Sequence, residues 1–424
     1  MSLATSLVLT VIWEHDWLSS LITIALIGGV SGILIFILQS MDELPSVVES
    51  SVMHGDSTIL YGLCWWWVGT VLKSESVLGK SATKGEWTVV SSAVSLVVVN
   101  FFRTAVDTNS TSTSNLHSLT AASGVIGCSL SCFLGTKLFK QNVLMFLLFV
   151  AVATLACIEL CFHGQLSTSV YRFPRCLFWI FGDFFWVTEE SKTEIPGFAS
   201  DFPRFGWLGY WLVVLLVAIP LAPSPSSSNP VIARKWFHLV AVVLFLPTTM
   251  VAPQMQSLSY AVALCVLLVI ESSRCHLPWL NDFYRCYLDT SKLETEDHTV
   301  VSHMGLICGC AIPLWIHQWL GAESHSNPML LPLAGVWTLG VGDAVGAVIG
   351  STFGQYKWGQ QNRTIEGSVA MFVSLCTVMY PQEVALEVWL PTAVIVTLLE
   401  AFTLQIDNIV LPLVASMTMI LWSS

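Results

Sequence analysis

Apolar residues in this chain come in long unbroken runs rather than at the spacing of a half-buried helix or strand. The clearest runs are Ser20–Gln39, Ser57–Leu72, Trp87–Phe102, Leu119–Gly135, Asn142–Phe162, Gly206–Ala222, Trp236–Ala252, Leu258–Ile270, Val300–Leu320, Leu330–Gly350, Ser368–Tyr380, Val388–Leu404 and Ile409–Trp422. A helix needs about 20 apolar residues to cross the hydrocarbon core of a bilayer, and tilt or local thinning accommodates shorter runs. The pattern predicts an all-α, polytopic transmembrane bundle of roughly 11–15 helices.

Composition agrees. Charged residues make up 11% of the 424 and hydrophobic ones 54%, where a soluble domain carries about 25% charged residues. The net charge of −11 and the absence of a basic or RNA-reading motif exclude a nucleic-acid partner. The twelve cysteines are scattered through apolar runs. Cys128/Cys132 and Cys157/Cys161 each stand one helical turn apart, a spacing open to a metal or a disulfide, but buried free cysteine more often packs as a small apolar residue. Near the N-terminus, Glu14 and Asp16 follow the first apolar run and no basic stretch precedes it. The first span is therefore expected to act as an uncleaved signal anchor.

Polar residues divide the chain into two parts. Up to Ala222, Ser/Thr-rich loops such as Asp107–Ser118 separate the runs, and only Glu159 and Asp183 stand out as acids that could do chemistry inside a membrane. Ala222-Pro223-Ser224-Pro225-Ser226-Ser227-Ser228-Asn229-Pro230 cannot continue a helix and reads as a linker. The predicted organisation is an N-terminal membrane region over 1–222, a linker over 223–230 and a catalytic membrane region over 231–424. Beyond the linker stand the polar residues Arg234, Lys235, His238, Glu271, Arg274, His303, Asp343, Arg363, Glu366, Glu400 and Asp407, nearly all at or near the ends of apolar runs. Groups placed there can converge on one interfacial cavity. Asn109-Ser110-Thr111 and Asn362-Arg363-Thr364 are glycosylation sequons that would report the sidedness of their loops.

The densest chemistry lies between Gly342 and Gly367. Gly342, Gly346, Gly350 and Gly354 recur every four residues and so share one helix face. Small-xxx-small packing explains such a stripe, but it does not explain Asp343 beside its first glycine. A carboxylate at membrane depth costs about 2.5–3.5 kcal/mol on insertion scales and needs a cation or an arginine. The following loop supplies Arg363 for phosphate oxygens, the Thr364 hydroxyl, Glu366 as a metal ligand or base, and Gly367. Thr364 to Gly367 is also an ordinary helix start, a threonine cap with an acid in the first turn. Glu271 and Arg274 fit a local i, i+3 ion pair.

The arrangement D-x-x-[A/G]-x-x-x-G-x-x-x-G followed by basic-T-x-E-G resembles the CTP-dependent polyprenol kinase family. Ala233-Arg234-Lys235-Trp236-Phe237-His238-Leu239, Ile270-Glu271 with Arg274, and Glu400 through Asp407-Asn408 resemble further segments of that family, so the likeness runs from about Val231 to Leu413. Arg363 departs from the lysine usual before the T-x-E-G element, replacing a point donor with a planar fork. The resemblance implies transfer of the terminal phosphate of CTP to dolichol or a related polyprenol, at the endoplasmic reticulum membrane, with the nucleotide site facing the cytosol. It further implies Mg²⁺ held by Asp343 and Glu366. Catalytic roles would fall to Asp343, Glu366, Lys235, His238 and Asp407, the last two as candidate bases. Gly342, Gly346, Gly350, Ser351, Thr352, Gly354, Arg363, Thr364 and Gly367 would contact the nucleotide. Alternative readings are a phytol-type kinase, a cytidylyltransferase making a CDP-lipid, and an ion-coupled transporter using Asp343, Glu400 and Asp407.

Overall fold

The computed structural model describes residues 116–139, 142–162, 175–186, 203–223, 230–274, 277, 279–280, 301–320, 330–358, 363–380, 385–402 and 407–423. The first three apolar runs, both sequon asparagines and residues 224–229 of the Pro/Ser segment lie outside these. The described chain is helical and has no strand: α1 Leu116–Leu138, α2 Val143–Phe162, α3 Arg175–Gly182, α4 Arg204–Ala218, α5 Pro230–Val251, α6 Pro253–Arg274, α7 Val301–Leu320, a π-helical segment Val336–Asp343 running into α8 Ala344–Phe353, α9 Ile365–Met379, α10 Leu386–Phe402 and α11 Asp407–Ser423. Four of these runs are long and apolar enough to cross a membrane: Leu116–Thr136, Val231–Val251, Pro253–Arg274 and Val336–Phe353.

With apolar residues on every side, burial is decided by bulk and position rather than by polarity. On α4, Leu212, Val213, Leu216 and Val217 face outward while Trp207 is fully buried. On α9, Val369 and Val373 face outward, and Met371 and Leu375 are buried. Such outward valines and leucines suit lipid contact, where association rests on packing rather than on the hydrophobic effect.

Two larger cores result. One joins α5, α6, α7, the π segment, α9, α10 and α11 through Tyr260, Leu314, Leu333, Met371, Leu399 and Leu411. The other joins Leu116 and Val125 of α1, Trp179 of α3 and Trp207 of α4 to Val251, Met255 and Leu258 of α5 and α6. Helices from both sides of the Pro/Ser segment therefore share a core, and α1 packs directly on α6.

Glu159 and the Cys128/Cys132 pair of the earlier half are occupied in this packing, whereas Asp183 is exposed. Glu159 is buried and its carboxylate accepts the Cys176 amide at 3.1 Å, satisfying a donor in the first turn of α3. Cys128 and Cys132 are buried free thiols with their sulfurs 4.0 Å apart, and the eight cysteines whose side chains are described are all free. Glu271 and Arg274 form the expected ion pair at 2.7 Å.

The glycine spacing predicts a helix through the stripe, and α8 carries most of it. Ahead of it, Val336–Asp343 is π-helical, with the Thr338 hydroxyl donating to Ala334 O at 2.7 Å, before α8 takes up α geometry. A π turn adds a residue to the helical repeat and re-aims the side chains at its end, and such turns often mark functional sites. Close backbone contact holds the segment. A Cβ on Gly335 would lie 2.2 Å from Gly309 O, and one on Gly309 would lie 2.0 Å from Asn408 O. The two glycines bring α7, the π segment and the start of α11 together.

Gly335→Ala should therefore destabilise the bundle by about 1–3 kcal/mol, the usual cost of overpacking. Gly209→Ala, where an added Cβ meets nothing within 4 Å, should leave the thermal unfolding midpoint in detergent unchanged or raised. Equal midpoints for the two variants would refute the close-packing account.

Candidate functional site

Three helices meet at Asp343. It ends the π segment, is 3% exposed and forms an ion pair with Lys235 of α5. His238, one turn along α5 from Lys235, places Nε2 3.6 Å from the same Asp343 oxygen and 3.3 Å from Asn408 Oδ1 at the start of α11. The spacing of Lys235 and His238 puts both on one face of α5. Gly340 lets that face approach, since its Cβ would lie 2.2 Å from Val242 Cγ2. The carboxylate thus has two partners from α5, as a buried charge requires, and Asn408 of α11 joins the cluster through His238.

The second half of the motif lies at the far end of α8. Thr364 caps α9, its hydroxyl oxygen accepting the Gly367 amide at 3.2 Å. The cap uses a lone pair of that oxygen and not its proton. Glu366, ahead of the apolar run, accepts the amides of Gln355 at 3.0 Å and Tyr356 at 3.1 Å on Oε1, and Tyr356 again at 3.3 Å on Oε2. Amide hydrogen bonds, its own first, hold the Glu366 carboxyl below the ordinary carboxylate range. The loop is closed further by Trp358 N to Arg363 O at 3.0 Å, Ile365 N to Tyr356 O at 2.8 Å and a Lys357–Thr364 bridge. Arg363 pairs with Glu400 near the end of α10.

The glycine stripe runs between these two ends, and α9 covers it. A Cβ on Gly342 would meet Leu375 at 2.9 Å. On Gly346 it would meet Met371 at 3.0 Å and Gly367 O at 3.1 Å; on Gly350 and Gly354 it would meet Thr364 at 2.9 Å or less. Gly342 and Gly346 therefore serve helix packing, and only the Gly350–Gly354 end reaches the loop. Ser351 and Thr352 are exposed there and donate to Val348 O of their own helix at 3.1 and 2.7 Å.

This geometry also separates the two acids expected to share an ion. Asp343 precedes α8 and the amides held by Glu366 follow it, a separation of roughly 15 Å along the axis at about 1.5 Å rise per residue. Mg²⁺ binds oxygens at about 2.0–2.1 Å, so the described arrangement does not place Asp343 and Glu366 on one ion. Among the described residues no three His, Cys, Asp or Glu side chains cluster as a metal site. Asp407 opens α11, but its side chain, like that of Arg234, lies outside the described residues.

Asn408 and Trp358 had no assigned role from sequence. Asn408 is legible only as part of the Asp-Asn pair. Trp358, an aromatic in a hydrophilic loop, is anchored by Nε1 donating to Ser368 Oγ at 3.0 Å and by edge contact with Phe402 at 5.2 Å.

Membrane-length helices around a buried, charge-paired polar cluster define a polytopic membrane protein with a site built from helix ends. Within that class the chain is similar to dolichol kinases. It is 30% identical to the dolichol kinase EVAN of Arabidopsis thaliana over 240 residues, 51% of this chain and 40% of that protein. It is 30% identical to human dolichol kinase over 234 residues, 50% of this chain and 44% of that one. It is 24% identical to dolichol kinase sec59 of Schizosaccharomyces pombe over 314 residues, 64% and 61% respectively. The matches thus span about two-fifths to three-fifths of the length of these relatives. No protein-family model and no solved structure matches the chain.

Lys235→Met leaves the buried Asp343 carboxylate without its ion-pair partner and should destabilise the protein by on the order of 3–5 kcal/mol. Lys235→Met with Asp343→Asn should recover most of that loss in thermal unfolding. A double variant no more stable than the single one would show that the pair is not coupled.

Proposed function

We propose that the protein is a CTP-dependent polyprenol kinase that converts dolichol to dolichyl phosphate, the lipid carrier used in protein glycosylation. On this reading it works in the endoplasmic reticulum membrane with its nucleotide site toward the cytosol, and residues 231–424 carry the chemistry. The convergence of Lys235, His238 and Asp343 carries the proposal. It joins two of the segments that resemble the family, across more than a hundred residues of chain.

Transfer of a phosphoryl group mainly requires in-line positioning and neutralisation of charge on the equatorial oxygens. Lys235 and Arg363 are the cations for that purpose, and the Thr364 hydroxyl proton is a further donor at the Gly350–Gly354 end. The donor set fits a magnesium ion that arrives with the nucleotide, since Mg²⁺ is commonly held by one carboxylate plus phosphate oxygens. Asp343 would hold it, and the ion would offset charge on the triphosphate. Glu366 contributes by fixing the loop through the amides of Gln355 and Tyr356. His238, beside the Asp343 carboxylate, is placed to take the proton of the lipid alcohol, with Asp407 as the other candidate base. The bond between the β–γ bridging oxygen and the γ-phosphorus breaks as the alcohol oxygen bonds that phosphorus, releasing CDP and a proton.

CTP labelled at the γ-phosphate should label a polyprenol when incubated with the purified protein. Asp343→Asn should reduce that transfer by about a hundredfold or more, as removal of a charge-stabilising group does elsewhere. Glu366→Gln, which keeps an acceptor for the loop amides, should be affected less than Glu366→Ala. Lipid labelling from α-labelled CTP would instead indicate cytidylyl transfer. No labelling of any isoprenoid alcohol by folded protein would refute the kinase reading.

A further inference from the structure

Arg363 and Glu400 form an ion pair between the loop and the last turn of α10, with side-chain exposures of 24% and 15%. Two residues after Glu400, Phe402 packs on Trp358 of the same loop. The end of α10 therefore grips the loop at two points, one charged and one aromatic. Lys235 with Asp343 and Arg363 with Glu400 are thus two ion pairs, one between α5 and the π segment and one between the loop and α10. Beyond Glu400 the chain enters α11, where Asn408 meets His238.

We propose that Glu400 is a positioning residue of the nucleotide site, which holds the Arg363 guanidinium in the orientation that receives a phosphate. The inference rests on the kinase reading and adds a role that reading does not require. An arginine carries considerable rotamer entropy, and a guanidinium binds phosphate best when its planar fork is pre-aligned. The Glu400 carboxylate selects one arrangement before the nucleotide arrives. The departure from lysine at position 363 becomes intelligible, because a fork can meet a carboxylate along one edge and a phosphate along another, whereas an ammonium is a point charge.

Charge and positioning predict opposite signs. Glu400→Gln removes a negative charge beside the site, so through charge alone it would tighten CTP binding. Through loss of positioning it weakens binding instead. The expected result is a Kd and KM for CTP raised about tenfold, with the KM for the polyprenol changed less than about twofold. A CTP Kd that is unchanged or lowered overturns the proposal. A charge-swapped protein, Arg363→Glu with Glu400→Arg, separates positioning from a structural pair. It should regain the wild-type unfolding midpoint but not the CTP affinity, and recovery of both would overturn the positioning role. Wild-type protein that binds CTP but transfers no phosphate would defeat the kinase reading alone, and the Kd comparison would still decide the role of Glu400. Wild-type protein that binds no CTP would defeat both.

Discussion

A carboxylate within a bilayer must be neutralised, and Asp343 finds its cation on a helix 108 residues earlier in the chain. That requirement organises the surrounding fold. Lys235 reaches Asp343 only if α5 lies against the π segment, and α5 lies there only because Gly340 gives way to Val242. The same approach brings His238 to Asn408, so α11 is drawn into the cluster. One ion pair thereby constrains three helices, and breaking it would leave a charge where the surroundings offer little solvation.

Around this pair the backbone does unusual things for identifiable reasons. Gly309 and Gly335 allow α7 and the π segment to touch through main-chain atoms, with the Asn408 carbonyl beside them. The π geometry from Val336 to Asp343 ends at the residue whose side chain must turn toward α5. Past Asp343 the helix is regular again and its glycines pack against α9. The irregular stretch thus serves the charged cluster, and the regular stretch serves helix packing.

The polar groups fall into two regions at the two ends of α8. Lys235, His238, Asp343 and Asn408 form one, with His238 and Asp343 buried and Lys235 and Asn408 partly so. Arg363, Thr364, Glu366 and the Trp358 loop form the other, nearer the surface. The end of α10 holds the second region through Glu400 and Phe402. On the proposed kinase reading, a triphosphate would extend across both regions and the lipid alcohol would meet the buried end.

Much of the fold was legible in the sequence, because long apolar runs with few charges leave a helical bundle as the structure that satisfies every backbone group inside a membrane. The residues of the site were legible as types and as helix-end positions, and Glu271 with Arg274 was legible as a pair because its spacing is local. Partnerships over long separations were not. The glycine spacing predicted a helix between Asp343 and Glu366, but not how far it would hold their side chains apart, since closeness in a motif measures chain length rather than distance. Nor did the sequence distinguish glycines that admit a neighbouring helix from glycines that admit a ligand, because both need the same missing side chain. Hydrophobic pattern alone determined that the chain is a membrane bundle with its charges near helix ends. Only the tertiary structure decided which of those charges meet, because pairing depends on how the helices pack, and in a uniformly apolar chain packing is set by shape.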